Sequence, residues 1–242
     1  LRNLESSGRR VKFVYTIPIA HNPAGTTMSP ERKKHLLELA SQYDFIVIED
    51  DPYSFFVYDE ADVTRLKTLD SEGRVVYLST MSKVLSPGIR VGWILGPQQL
   101  IDLFERAKQS ADLHTPTLSQ YIAKEAIEKG VVSETVEKAR KIYRVKRDAI
   151  LSALSENMVE NSWWVKPVGG LFLMVWLPPE IDTREMLPTA IDEGVAYVPG
   201  APFFVDESGR NTMRLNFSYP SIEEIRSGIE ILGRIVRRKL GR

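Results

Sequence analysis

Residues 45–49 (Phe-Ile-Val-Ile-Glu) are apolar up to the acid that closes them, and two more acids follow at Asp50 and Asp51. A strand buried on both faces reads this way, and such strands belong to parallel sheets flanked by helices. Residues 75–78 and 91–95 repeat the pattern, and residues 11–17 read as a strand ending at Pro18. Ser29-Pro30 reads as an N-cap followed by proline at the first helical position, opening a helix that runs to about Tyr43. Further helices are expected at about 98–108, 118–129 and 133–154. Strand and helix therefore alternate through the first half, which implies an α/β fold with a parallel sheet covered on both faces.

The helix expected at 133–154 is unusually long. Val136, Ala139, Ile142, Tyr143, Val145, Ala149, Ile150 and Leu154 fit one buried stripe along it. Beyond it, strands are expected near 163–166, 171–177, 195–198 and 212–217, with a helix at 183–193. Ser221 and Glu224 form a capping box for a closing helix. The expected division is a large α/β domain over 1–132, a connecting helix over 133–155 and a small α+β domain over 156–242.

Composition excludes whole classes of function. Among 242 residues, Lys plus Arg total 32 and Asp plus Glu total 32, so the formal net charge is zero. Neither nucleic acid nor an anionic membrane attracts such a chain in general. There is no cysteine, hence no disulfide, thiolate nucleophile or cysteine metal site. His21, His35 and His114 are scattered without ligand-like spacing, so no metal is expected. The longest apolar stretches, such as 170–178, are too short to span a bilayer. The opening Leu1-Arg2-Asn3-Leu4-Glu5 lacks the apolar run of a signal peptide, so a cytoplasmic address is expected. A first residue of Leu1 rather than methionine, with strand-like sequence within ten residues, reads as a processed or truncated piece of something longer.

Ligands of open α/β sheets sit beyond the carboxyl ends of the strands, so the chemistry is sought there. In the segment Thr80-Met81-Ser82-Lys83, two hydroxyls flank a lysine, and the Pro87-Gly88 turn carries Arg90 back toward them. Hydroxyls plus a guanidinium make a clamp for a phosphate dianion. A lysine beside that clamp can form a Schiff base with the aldehyde of a phosphorylated cofactor. Asp50, closing a buried strand, needs a cation or donor as partner, and a protonated pyridine nitrogen is one. Tyr53 and Asn22 are candidates to reach that ring's phenolic oxygen, with core packing the alternative for Tyr53. Asp51 reads as a structural cap. Arg214, in an apolar strand, suits either a substrate α-carboxylate or a structural salt bridge.

Together, Asn22-Pro23, Asp50-x-x-Tyr53, Thr80-x-Ser82-Lys83, Arg90 and Arg214 resemble, in order and spacing, the class I/II aminotransferases. These are fold-type I enzymes that use pyridoxal 5'-phosphate. Pro167-x-Gly169-Gly170-Leu171-Phe172 and Val198-Pro199-Gly200 extend the resemblance over nearly the whole chain, and Glu49-Asp50-Asp51-Pro52-Tyr53 is most similar to the 2-aminoadipate, kynurenine, aromatic and multi-substrate subgroup. The resemblance implies transfer of an amino group between an α-amino acid and a 2-oxo acid, in a homodimer. It casts Lys83 as the Schiff-base lysine that later moves the substrate's α-proton. Asp50 would hold the ring nitrogen protonated, and Tyr53 and Asn22 would tune the phenolic oxygen. Thr80, Ser82 and Arg90 would grip the phosphate, and Arg214, with Asn22, would bind the substrate.

Family members usually carry a segment ahead of the strand at 11–17 that supplies a phosphate loop, a ring-stacking aromatic and dimer contacts. Nothing in residues 1–10 replaces it. Two rival expectations arise: the aminotransferase-like effector domain of a MocR-type transcription regulator, and an inactive aminotransferase fragment. Such regulators tend to read Glu-Asp-Asp-Tyr-Asp at the nitrogen-binding strand, where this chain has Pro52-Tyr53. The zero net charge and the lack of a basic run also fit autonomous DNA binding poorly.

Overall fold

The computed structural model describes residues 1–206 and 208–241, and they group into two compact units. One contains Leu1–Ile19, Thr27–Phe55 and Glu60–Lys138; the other contains Ala20–Thr26, Phe56–Asp59 and the chain from Ala139 onward.

The first unit is built on a four-stranded sheet in the order β1 (Phe13–Thr16), β2 (Ile46–Asp50), β3 (Val75–Thr80), β4 (Gly92–Leu95). β1, β2 and β3 run parallel, as the apolar runs predict, but β4 pairs antiparallel with β3, with Thr80 opposite Gly92. The sheet is mostly parallel, as expected, and β4, whose apolar run reads like those of its parallel neighbours, departs from it for a simple reason. The link from Thr80 to Gly92 holds only a 3-10 turn at Pro87–Ile89 and no crossover helix, which a parallel return usually needs. Helices α1 (Arg2–Ser6), α2 (Pro30–Gln42), α3 (Leu66–Leu69), α4 (Gln98–Ala111) and α5 (Thr117–Glu128) complete the unit. Ser29 caps α2 by accepting from the Arg32 amide, with Pro30 opening the helix. Ala40, Phe45, Val47, Leu66 and Val75 form the core on this side of the sheet.

β2 alternates rather than being buried throughout: Val47 and Glu49 face the core, while Ile46, Ile48 and Asp50 are less buried. Successive strand residues point to opposite faces, so three consecutive acids are sorted into different environments. Glu49 is fully buried and accepts from the Leu66 and Lys67 amides at 2.9 and 2.8 Å, capping the start of α3. Burial pushes its carboxyl above the ordinary range despite those two donors.

The second unit has an all-antiparallel sheet in the order β5 (Trp163–Trp164), β6 (Phe172–Trp176), β8 (Thr212–Asn216), β7 (Val198–Pro199). Helix α7 (Thr183–Asp192), helix α8 (Ile222–Lys239) and the later turns of α6 (Val131–Asn157) pack on it, around Leu154, Leu173, Met186, Met213, Phe217 and Leu232. The Ser221–Glu224 capping box is formed as expected.

The stripe along α6 is narrower than predicted. Ile142 and Val145 are about half exposed. Tyr143, Arg147, Ile150 and Leu154, spaced four, three and four apart, mark the inward face. Arg147 is therefore buried, and it donates to Asp59 at 2.8 Å, to Asp148 at 2.6 Å and to the Pro167 carbonyl. Gly170 is required at its own position. Its φ is +81°, and a Cβ there would lie 2.9 Å from that of Ala20.

Candidate active site

Asp50 and Thr80 are the last residues of β2 and β3, at the carboxyl edge of the first unit's sheet. Asp51 turns the other way, into the interior. Its Oδ1 accepts from the Ser54 amide at 3.0 Å, and its Oδ2 accepts from the Ser54 hydroxyl (2.7 Å), Arg65 Nε (2.8 Å) and the Tyr77 hydroxyl (2.9 Å). The Ser79 hydroxyl donates to its carbonyl at 2.7 Å. The turn that joins Asp50 to the buried Tyr53 is thus anchored by a carboxylate with four donors.

Asp50 has a partner that reading the sequence did not identify. The Tyr15 hydroxyl, on neighbouring β1, donates to Asp50 Oδ2 at 2.5 Å. Burial, then the hydrogen bond to Asp50, push this phenol well above its usual range, so it is the donor in that bond. The available signal was the one phenol in the edge strand, in register with Ile48, two residues before Asp50.

Thr80, Ser82 and Arg90 are brought together. Thr80 Oγ1 donates to Ser82 Oγ at 2.9 Å and accepts from the Ser82 amide at 3.0 Å. An Arg90 guanidinium nitrogen lies 3.5 Å from the same Ser82 oxygen and donates to the Pro87 carbonyl at 3.2 Å. Arg90 itself sits in the left-handed region, at φ +54°, which is costly for a residue with a Cβ. A 3-10 turn at Pro87–Ile89, capped by Ser86, imposes this and delivers Arg90 to the sheet edge just before β4. The cluster joins two hydroxyls to one cation, a donor set suited to a phosphate. Lys83 is exposed, three residues beyond Thr80.

Asn22 and Arg214 meet within the second unit. An Arg214 Nη donates to Asn22 Oδ1 at 2.9 Å, which leaves the Asn22 Nδ2 as the donor end of that amide. The guanidinium lies 4.3 Å from the Phe172 ring centre and 5.6 Å from that of Phe203, contacts that hold its plane while leaving it charged. Its strand position is opposite Met174 on one side and Val198 on the other.

His21 organises the turn that contains Asn22: its Nδ1 accepts from the Ala24 amide, and burial lowers its pKa. Trp163 stacks on Trp176 with ring centres 3.6 Å apart. Among the described residues, no cluster of His, Asp and Glu side chains could hold a metal ion, and no helix is long and apolar enough to cross a membrane.

Known proteins are similar to this chain over nearly its full length. The family model for aminotransferase class I and II matches residues 1–232. Aromatic-amino-acid aminotransferase 1 of Thermococcus litoralis is 49% identical over 240 residues, covering 99% of this chain and 58% of the relative. The crystal structure of Pyrococcus horikoshii kynurenine aminotransferase, in complex with PMP, superposes with a TM-score of 0.96 at 48% identity. That match covers 99% of this chain and 59% of the other. The HTH-type transcriptional regulator YdfD of Bacillus subtilis is 35% identical over 225 residues, 93% of this chain and 46% of the regulator. The chain thus spans about three fifths of the two aminotransferases and under half of the regulator.

Proposed function

The chain belongs to the class I and II aminotransferases and carries their fold-type I architecture, and on that premise we propose that it takes part in transferring an amino group from an α-amino acid to a 2-oxo acid with pyridoxal 5'-phosphate. The observation that carries this reading is the placing of Asp50 and the Thr80–Ser82–Arg90 cluster at the carboxyl ends of adjacent strands. A carboxylate, a phosphate-type donor set and an amine are what a phosphorylated pyridine aldehyde requires, so the residues fit the group. When bound, that cofactor supplies a carbonyl for the amino group and a ring that withdraws electrons from the α-carbon.

This chain's residues would do the rest. Thr80, Ser82 and Arg90 would hold the phosphate, and Asp50 would be the carboxylate that keeps the ring nitrogen's proton there. Tyr53 and the Asn22 Nδ2 donate toward the phenolic oxygen. Lys83 would supply the amine for the aldehyde and would hold or move the proton at the substrate's α-carbon. Arg214, oriented by Asn22 and Phe172, receives the substrate's α-carboxylate.

The test is the visible absorption of the purified chain with added pyridoxal phosphate, before and after glutamate. The expected result is a new band that glutamate bleaches with release of 2-oxoglutarate, and no borohydride-fixed adduct in Lys83→Ala. An adduct that persists in Lys83→Ala would remove the assignment of that lysine. The likeness to the regulator favours a second reading, an effector domain. It predicts a spectral response to an amino acid without release of a 2-oxo acid.

A further inference from the structure

We infer that Tyr15 is a positioning residue for Asp50: its hydroxyl fixes one carboxylate oxygen so that the other is presented to the ring nitrogen of the cofactor. This rests on the pyridoxal phosphate reading above.

The terminal torsion of an aspartate is broad and two-fold, so an unrestrained carboxylate samples many planes. Asp50 closes β2 and is only partly buried, so packing does not hold its plane. Its Oδ2 is engaged by Tyr15 at 2.5 Å, from a strand 35 residues earlier in the chain. The remaining oxygen, Oδ1, is the one left to accept from a pyridinium N–H. Fixing the plane in advance removes an ordering cost from cofactor binding, which is how an orienting group raises affinity without touching the ligand. Tyr15 is also 54% exposed, so its ring contributes little to the core. The hydroxyl, rather than the packing of the ring, carries the effect.

The experiment is a titration of the full chain with pyridoxal phosphate, in wild type, Tyr15→Phe, Asp50→Asn and the double variant, alongside thermal midpoints. Tyr15→Phe is expected to raise the dissociation constant roughly tenfold, while the midpoint falls by no more than loss of one partly exposed hydrogen bond accounts for. It is also expected to move the 15N resonance of the labelled, bound pyridine nitrogen. In the Asp50→Asn background the same change is expected to have less than about a twofold effect, because the group it acts through is altered. Equal affinities for wild type and Tyr15→Phe would overturn the inference. So would an equal loss in both backgrounds, which would mean that Tyr15 acts independently of Asp50. A wild-type chain that takes up no pyridoxal phosphate would instead overturn the functional reading, and this inference with it.

Discussion

Replacing Asp51 by asparagine should destabilise the first unit by about 2–3 kcal/mol, although the side chain keeps its shape. The Oδ1 bond from the Ser54 amide survives, because asparagine retains one oxygen. At the other oxygen, three donors now meet an NH2 group. The hydroxyls of Ser54 and Tyr77 can rotate and accept instead. Arg65 Nε cannot, and its charge loses a carboxylate 2.8 Å away. Hydrogen bonds to charged groups contribute about 1.5–3 kcal/mol each. Breaking a fully buried ion pair costs about 3–5 kcal/mol. The Arg65 side chain is 38% exposed and can recover some hydration, which sets the expected loss near the lower of those ranges. Urea unfolding followed by circular dichroism measures the total. Amide exchange in peptides covering β2 and β3 shows whether the loss is local. A change below about 0.5 kcal/mol, the level of an ordinary surface substitution, would refute the claim that this carboxylate anchors the turn.

Two other outcomes are expected. Hydrogen bonding by Thr64, and then by the buried Lys33, holds the Asp62 carboxyl at about 2, below its ordinary 3.8. A carboxyl depressed by folding stabilises the protein fully above its unfolded pKa, and that contribution is lost as pH falls from about 4 toward 2. Denaturation midpoints measured across that window should therefore fall more steeply in wild type than in Asp62→Asn, and parallel slopes would exclude Asp62 as the cause. Arg214→Ala should raise the KM for the amino acid by roughly tenfold or more while changing pyridoxal phosphate affinity little. Matched losses of both would mark Arg214 as structural.

Much of the architecture was legible because it is written in local chemistry. Ser29-Pro30 and Ser221 with Glu224 mark helix starts by satisfying amides within one turn, and both caps are formed. The apolar runs at 45–49 and 75–78 located, to within two residues, the strand ends at Asp50 and Thr80 that position the candidate site. What escaped depends on partners distant in sequence. Arg147 sits on the inward stripe of α6 because Asp59 and the Pro167 carbonyl neutralise and solvate it, and neither is visible from helical periodicity. Ile142 and Val145, apolar but off that stripe, were over-read for the same reason. Tyr15 was passed over because nothing in a strand's own pattern tells which carboxylate lies across the sheet. The direction of β4 could have been read from the shortness of the segment after Lys83.

The Thr80–Ser82–Arg90 cluster also bears on the order in which the molecule assembles. The bond from Thr80 Oγ1 to the Val91 carbonyl closes a loop between residues 11 apart, whereas the bond from Arg214 to Asn22 joins residues 192 apart. With loop-closure entropy growing as the logarithm of separation, the longer closure is more costly by about 2.5 kcal/mol. That cluster can therefore form early, from one short stretch of chain. Arg214 and Asn22 can meet only after the second sheet has brought distant segments together. In a refolding experiment, protection by phosphate should precede recognition of an amino acid.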